Sequence, residues 1–274
     1  MKHAHGPRNP RIRVVGDLHV GSMWGLWPPN FSYAGQPYPQ NPWQVYLWQA
    51  WERGWKTLPK PDVLVLNGDL IDGSQPRAGG AGTVSPEPDL QEEALLQVLA
   101  PVRAGKVFVT IGTAYHEPHR LSAVARLVGA QEVAGRHVLP ECKLRVRNPE
   151  VRIVVRHHPD GGNALYTGTI LEREAVKAIR AWAARMLDER HDVIVVSHVH
   201  LVGWEYTPDN VLVVITPTWC AQSEQSMVRR RYTWLPRVGW VDLVVRGPGA
   251  AGVVVEPYLV EPPLKEREVP WVEL

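Results

Sequence analysis

Five short runs of mostly β-branched, apolar residues constrain this chain most, because metal-binding side chains follow each run closely. Runs such as VLVL, VIVV and LVVI are continuously apolar and do not alternate with polar residues. Such runs are typical of strands covered on both faces, although periodicity alone does not distinguish them from buried helix. Open α/β sheets bind their ligands just outside the carboxyl ends of the strands. Five segments that are distant in sequence are therefore predicted to converge on one crevice.

The side chains after these runs are carboxylates and imidazoles, the ligands that suit Mn, Fe, Zn and similar ions. Any one DxH, GD or HxH motif is a weak signal, but five coincidences at five predicted strand ends are not expected by chance. We therefore predict a metal centre that holds two ions. In chain order the candidates are Asp17 and His19, Asp69 and Asp72, His116 and Glu117, His157 and His158, and His198 and His200.

The spacing inside two of these motifs predicts which way their side chains point. Asp17 and His19 are two residues apart in a strand-like segment, and alternate residues of a strand face the same side. The same reasoning places the side chains of His198 and His200 together.

The rest of the pattern predicts an α/β fold. The first half alternates strand-like and helical segments, whereas the part from 211 on is mostly strands and turns, which favours a layered sandwich with a late antiparallel part. We find no internal repeat and no domain boundary, so 1–274 is predicted to be one domain with a proline-rich tail at 257–274. The predicted strands are 11–16, 62–67, 106–111, 143–148, 151–156, 192–197, 211–216, 241–246 and 252–256, and the predicted helices 43–58, 89–100, 119–130 and 169–190.

Two irregular segments follow candidate ligands. Residues 21–42 are rich in proline, glycine and aromatics and too broken for helix or strand, and residues 73–88 are small and polar. Long loops beside a site often form its walls or lid, and mobility is the commoner alternative.

Composition bounds the class of protein. The formal charge of +2 is too small to favour nucleic acid or a membrane through a global field. The two cysteines, Cys142 and Cys220, are far apart and form no CxxC motif, which indicates free thiols in an intracellular chain. No apolar stretch approaches 18 residues and no signal peptide is evident, so we expect a cytoplasmic protein without a membrane span.

The motifs resemble those of the calcineurin-like metallophosphoesterase family. GDLHVG, NGDLID, HE, HHP and SHVH follow the order of the family's D-x-H, GD, GNH(D/E), H and GH-x-H, over residues 14–200. The resemblance implies a four-layer sandwich of two mixed β-sheets flanked by helices. It also implies two divalent ions (Mn, Fe, Zn, Ni or Co) at the strand ends.

The resemblance also implies a division of roles. Two cations about 3.5–4 Å apart need a shared anionic ligand, and a water between them would lose a proton and attack phosphorus. An imidazole titrates near neutrality and can donate a proton to the leaving oxygen. The implied roles are Asp17, His19 and His200 on the first ion, Asp69 as the bridge with a catalytic role, His157 and His198 on the second ion, and His116 as a catalytic histidine that is not a ligand.

One position departs from the family pattern. The family's asparagine, whose amide oxygen binds the second metal, is replaced here by Thr113 if two residues are inserted, or by Tyr115 if the histidines are aligned directly. A neutral hydroxyl is a poorer ligand than an amide carbonyl, so Thr113 is either a weak ligand or a loop residue that only sets the turn. The departure predicts a second metal that is held more weakly than the first.

The adjacent histidines of the HHP motif leave open which of the two binds metal. Neighbours on a strand point to opposite faces, so only one of them is predicted to bind metal, and the H-x-P pattern through Pro159 favours His157. His158 would then orient a neighbour or line the pocket.

Three further residues are assigned supporting roles. Asp72 is predicted to orient a ligand histidine through its second nitrogen. Glu117 could do the same for His116, or could be an exposed loop acid. Arg77 is a candidate contact for the phosphate backbone of a substrate.

These residues predict a divalent-metal-dependent phosphoesterase that acts on a phosphomonoester or phosphodiester, with a nucleotide or nucleic acid among the possible substrates. A nuclease of the same fold is the first alternative, since the Arg229–Arg231 cluster could contact DNA, although a stronger basic surface is then expected. A non-catalytic scaffold is the second alternative. The tail would cover the protein's own surface or a neighbouring subunit, which leaves a homo-oligomer open.

Overall fold

The structure is a computed structural model that describes residues 9–76, 79–117, 121–159, 167–221 and 237–261. The strands of this part are β1 Arg11–Val15, β2 Ser32–Tyr33, β3 Gln36–Pro37, β4 Val63–Asn67, β5 Lys106–Thr110, β6 Val138–Leu139, β7 Cys142–Arg147, β8 Glu150–Arg156, β9 Val193–Val196, β10 Gly203–Tyr206, β11 Leu212–Ile215, β12 Val238–Val245 and β13 Val253–Val260. The helices are α1 Pro42–Thr57, α2 Pro88–Leu99, α3 Ser122–Leu127 and α4 Thr167–Ala183.

The strands form two mixed sheets and one small hairpin. The six-stranded sheet has the order β13-β12-β1-β4-β5-β6, and the five-stranded sheet has the order β10-β11-β9-β8-β7. In the first sheet β1, β4, β5 and β6 run parallel, while β12 is antiparallel to both of its neighbours. In the second sheet β8, β9 and β11 run parallel, and the two edge strands are antiparallel.

The two sheets pack face to face over a shared apolar core. This core contains Val14, Val65 and Leu243 from the first sheet and Val155 and Val195 from the second, all with exposures of 0%. Because both faces of these strands are covered, their sequences are continuously apolar, as predicted.

Helices cover the outer faces of both sheets. Trp51 of α1 and Leu95 of α2 pack with Leu66 against the first sheet, and Leu171 of α4 packs with Ile194 against the second. The layers are therefore helix, sheet, sheet, helix. The predicted fold class, a four-layer α/β sandwich of two mixed sheets, is confirmed.

The structure differs from the predicted elements at the end of one helix, within 21–42 and in the tail, and it contains two strands, β6 and β10, that were not predicted. The helix expected over 169–190 ends at Ala183, where Arg185 has a φ of 57° and the apolar side chain of Met186 is 78% exposed. The segment 21–42 contains the hairpin β2–β3, and Trp27 and Phe31 anchor it in the core. Residues 257–260 of the predicted tail belong to β13, and 262–274 lie outside the described residues.

Helix α1 begins with a capping box. The Asn41 side chain accepts from the Gln44 backbone N–H at 2.9 Å, and the Gln44 side chain accepts from the Asn41 N–H at 3.0 Å. The sequence NPWQ carried this signal.

None of the described helices is both long enough and apolar enough to span a membrane.

Candidate metal centre

The candidate ligands lie in the loops that follow five parallel strands, β1, β4 and β5 in one sheet and β8 and β9 in the other. Backbone hydrogen bonds join the loops within each sheet, and a hydrogen bond to the Asp17 side chain joins the two sheets. Asp17 N donates to Gly68 O and Ser197 N donates to His157 O, both at 3.0 Å. His198 N donates to Asp17 Oδ2 at 3.0 Å. The carboxyl ends of the two sheets thus meet at one crevice, as the sequence predicted.

The first triad, which we define as Asp17, His19 and His200, brings three ligand atoms together. His19 Nε2 lies 3.2 Å from His200 Nε2, and Asp17 Oδ1 lies 3.4 Å from His200 Nε2 and 3.9 Å from His19 Nε2. Ligands around a tetrahedral ion with bonds of about 2.0–2.1 Å are separated by about 3.3 Å. The separations in the first triad suit such an ion.

The second triad, which we define as Asp69, His157 and His198, adjoins the first. Asp69 Oδ2 lies 3.1 Å from His157 Nε2 and 3.9 Å from His198 Nδ1. Asp69 also groups with His19 and His116, with ligand atoms within 4.8 Å of one another. One carboxylate therefore lies within reach of both positions.

Buried atoms without hydrogen-bond partners show that the cluster fits cations. Asp17 Oδ1 and His157 Nε2 are both buried, and neither has a hydrogen-bond partner within the described residues. His157 Nδ1 donates to Asn67 O at 2.7 Å, so in the neutral ring Nε2 carries a lone pair that faces the Asp69 carboxylate. Two acceptors at that distance repel unless a proton or a metal ion lies near both. The two carboxylates and four imidazoles of the two triads are a suitable donor set for divalent ions.

The local geometry of the ligands is not that of a strand. Five of the six triad residues have a positive φ: Asp17 (52°), His19 (45°), Asp69 (48°), His198 (71°) and His200 (58°). β1 and β9 end before these motifs, so the prediction that strand alternation aligns DxH and HxH is wrong. Non-glycine residues in this region are uncommon and cost about 1–3 kcal/mol each, a strain that surrounding structure sustains mainly at functional sites.

Two glycines allow the loops to approach. A Cβ on Gly68, which has a φ of 67°, would lie 2.7 Å from the His157 ring. A Cβ on Gly112 would lie 2.2 Å from Asp69 N. A side chain at either position would push a candidate ligand out of place.

A buried polar network under the site was not predicted from the sequence. Asn67 Nδ2 donates to Ser197 Oγ at 2.6 Å and to Arg156 O at 3.0 Å, and Thr110 Oγ1 donates to Asn67 Oδ1 at 2.7 Å. The Ser197 and Thr216 hydroxyls are 2.6 Å apart. The network ties together the ends of strands from both sheets. An asparagine at the end of the apolar run VLVLN was the signal for it.

Asp72 contacts two histidines. Its Oδ1 lies 3.2 Å from His19 Nδ1, and its backbone oxygen accepts from His116 Nδ1 at 2.8 Å. The Gln75 amide lies 3.1 Å from both Asp72 Oδ1 and His116 Nδ1. These contacts direct the Nε2 atoms of both rings toward the cluster. Gln75 was not among the predicted site residues.

Glu117 is buried and contacts backbone instead of the His116 ring. Its carboxylate accepts from Leu70 N, and from Gly112 N at 2.8 Å, so it joins the loops after β4 and β5. Burial, and then the charge of Asp69, raises the pKa of Glu117 to about 8.

The remaining predicted site residues lie as follows. His158 packs its ring against His198 with centroids 4.2 Å apart, at the rim of the second triad. The hydroxyl of Thr113 donates to Asp69 Oδ1 at 2.9 Å. Arg77 lies outside the described residues, as does the arginine cluster at 229–231.

The charged groups of the site shift one another's pKa values. Burial raises the pKa of Asp69, but His157 and His198 outweigh burial and hold the pKa of this carboxyl well below its usual value. Burial lowers the pKa of His157, but Asp17 and Asp69 outweigh it and raise that pKa to about 9. Burial and the charge of His19 lower the pKa of His116. Asp17 and Asp69 therefore favour a positive charge at the His157 ring.

The metal-free protein is expected to lose stability as pH rises from about 6.5 to 9. The pKa of His157 is about 9 in the folded protein and about 6.5 in the unfolded chain. Its contribution to the free energy of unfolding is therefore complete below about pH 6.5 and is lost as pH rises through 9. Glu117, with a pKa of about 8, adds to the loss in the same direction, because the folded state keeps a proton that the unfolded chain releases. Between about pH 6.5 and 9 the loss in the free energy of unfolding is at most about 3 kcal/mol from His157 and about 2 kcal/mol from Glu117.

Thermal unfolding in the presence of chelator, from pH 6 to 9.5, measures how the free energy of unfolding changes with pH. His157→Gln should reduce this pH dependence. Added Mn²⁺ should reduce it in the unaltered protein, since a metal ion replaces the proton. A metal-free protein whose stability increases over this range would contradict the assignment.

The two mixed sheets and the loop positions of the candidate ligands have the layout that the metallophosphoesterase resemblance implies. Among solved structures, the chain is similar to a dimetal phosphatase from Danio rerio (11% identity, TM-score 0.44, covering 92% of this chain and 99% of that one). It is also similar to Vps29 from Entamoeba histolytica complexed with zinc (13%, 0.42, 91% and 98%). A third similar structure is a predicted phosphoesterase from Streptococcus pneumoniae (10%, 0.36, 93% and 100%).

No family model and no curated protein matches the chain. At such identities, and with TM-scores below 0.5, the chemistry of these proteins does not transfer to this chain. Its function has to be inferred from its own side chains.

Proposed function

We propose that this protein is a divalent-metal-dependent phosphoesterase that hydrolyses phosphomonoesters or phosphodiesters. The observation that supports this most is the pair of adjoining triads, in which the buried Asp17 Oδ1 and His157 Nε2 lack hydrogen-bond partners. Two carboxylates and four imidazoles can hold two divalent ions with a net positive charge left over. A site with that charge suits an anionic phosphoryl group.

Each triad has a separate task in this proposal. Asp17, His19 and His200 would hold the first ion, and His157 and His198 the second, with Asp69 shared. When bound, two such ions supply a nucleophile at neutral pH and neutralise the phosphoryl oxygens. Asp72 keeps the His19 ring oriented through the 3.2 Å contact with Nδ1.

His116 is the proposed proton donor to the leaving oxygen. Its Nδ1 is held by the Asp72 carbonyl at 2.8 Å, and its ring meets the His19 ring edge-on with centroids 4.5 Å apart. Nε2 is thereby presented to the cluster. Because Nδ1 keeps its proton on the Asp72 carbonyl, Nε2 would protonate the leaving oxygen of a bound phosphoester from the imidazolium form of the ring. Its proximity to His19 and Asp69 also lets it act as a ligand, and mutation separates these two roles.

Hydrolysis assays test the proposal directly. Purified protein with Mn²⁺ should hydrolyse p-nitrophenyl phosphate or bis-(p-nitrophenyl) phosphate, lose this activity with chelator and regain it with Mn²⁺. Asp17→Asn should be inactive, while Asp209→Ala, at an exposed carboxylate in a turn, is the matched control. Absence of hydrolysis of both ester types with Mn²⁺, Co²⁺, Ni²⁺ and Zn²⁺ would refute the proposal. Comparable degradation of single-stranded DNA would favour the nuclease alternative.

A further inference from the structure

The loop after β5 reaches the second triad but contributes no charged ligand to it. Thr113 comes closest, and it is 9% exposed. Its backbone N–H and its hydroxyl both donate to Asp69 Oδ1, at 2.6 and 2.9 Å. The same hydroxyl accepts from His116 N at 3.3 Å. The hydroxyl proton and one lone pair are therefore already used within the protein, and the hydroxyl's geometry is set by Asp69.

The loop's acid is also engaged elsewhere. Both carboxylate oxygens of Glu117 accept from backbone N–H groups, those of Leu70 and Gly112. Tyr115 turns its ring edge-on to His116, with centroids 5.1 Å apart. Among the described residues of this loop, His116 can act as a metal ligand, but it groups with His19 and Asp69 and not with His157 and His198.

The two positions are consequently unequal in charge. The first triad has its own anion, Asp17, in addition to two imidazoles. The second triad has only the imidazoles of His157 and His198 as its own ligands, because Asp69 is shared with the first position. Of the shared carboxylate, Oδ1 is held by Thr113 and Oδ2 faces His157. A divalent ion is held less tightly where fewer anionic ligands meet it.

We propose that the second position is an exchangeable metal site, so that the concentration of free divalent metal regulates the enzyme, and that Thr113 positions Asp69 and is not a ligand. This inference rests on the proposed function, because it concerns occupancy of the same site. The first ion would be resident, and hydrolysis would follow occupancy of the second position.

Titration of chelator-treated protein with Mn²⁺ tests whether the two positions bind metal with unequal affinity. Calorimetry should resolve two binding steps, the second weaker by about tenfold or more, the scale on which single supporting contacts alter metal affinity. The electron paramagnetic resonance spectrum should show an isolated Mn²⁺ ion after the first step and a spin-coupled pair only after the second. Two steps of equal, tight affinity would overturn the inference.

Variants at Thr113 test whether the lack of an oxygen ligand at this position causes the weaker second binding step. Thr113→Asn offers an amide oxygen to the second position and should tighten the second step by about tenfold, with the first unchanged. Thr113→Val has the same shape without the oxygen and should not tighten it, and Thr113→Asp is a second gain variant if the asparagine variant folds poorly by circular dichroism. An unchanged second step in both Thr113→Asn and Thr113→Asp would overturn the assignment.

The outcomes separate this inference from the proposed function. If no Mn²⁺ binds and no phosphoester is hydrolysed, the proposed function fails. If two ions bind with equal affinity and the ester is hydrolysed, the proposed function stands and only the regulatory inference fails.

Discussion

Replacing Asp69 with alanine is expected to abolish the binding of a pair of metal ions and, with it, hydrolysis. Its carboxylate faces His157 Nε2 at 3.1 Å and His198 Nδ1 at 3.9 Å, and it groups with His19 of the first triad as well. Without it, two divalent ions about 3.5–4 Å apart would repel each other with no shared anion between them. Calorimetric titration with Mn²⁺ and a phosphodiester assay on the same sample measure both losses, and the residual rate should be that of buffer.

Two further variants show that the loss is specific. Asp69→Asn can still accept from Thr113 but lacks the charge, so it should fold and should also fail to hold two ions. Asp209→Ala removes an exposed carboxylate and should behave like the unaltered protein. An Asp69→Ala protein that binds two ions with unchanged affinity would show that this carboxylate is not the bridge.

Replacing His116 with alanine is expected to lower turnover by about 10²–10⁴-fold on esters with poor leaving groups, the usual contribution of a general acid. The loss should be much smaller on p-nitrophenyl esters, because p-nitrophenolate leaves without a proton. Metal content should be retained, since the two triads remain intact. Comparing kcat for alkyl and p-nitrophenyl esters, together with metal analysis by plasma mass spectrometry, measures these effects.

The matched control is His137→Ala, which removes a partly buried histidine that contacts Ala130 O and lies in none of the ligand groups. It should leave both substrate classes unaffected. Equal losses on good and poor leaving groups would count against a proton donor. Loss of a metal ion from the His116→Ala protein would identify His116 as a ligand.

The sheets were predictable from sequence because the signal for them is local. Strands such as β9 (VIVV) and β11 (LVVI) are buried on both faces, so their apolar character is continuous and unmistakable. The short strands β2, β3 and β6 have two residues each, too few for any periodicity, and β10 is an exposed edge strand. These four were not predicted.

The membership of the site was also predictable, but its geometry was not. Strand ends indicated that Asp17, Asp69 and His157 would converge, and their side chains do meet. The positive φ of His19 and His200 depends on loop packing between the two sheets, which no local pattern encodes. The sequence argument predicted that these side chains would lie close together, but it assumed a wrong local conformation for His19 and His200.

Contacts between distant residues were beyond the sequence argument. Thr113 and Asp69 are separated by 44 positions, and whether the hydroxyl binds a metal or a carboxylate depends on one rotamer. The same holds for Gln75 beside His116, and for Glu117, whose partners are backbone N–H groups. Such contacts are settled by tertiary packing, which composition and spacing do not specify.

The most direct measurement is a crystal structure of the protein grown with excess Mn²⁺, with anomalous scattering used to locate the ions. We expect two peaks about 3.5–4 Å apart, one bound by Asp17, His19 and His200 and the other by His157 and His198, with Asp69 touching both. Peaks elsewhere on the molecule, or no peak between these side chains at saturating Mn²⁺, would contradict the account.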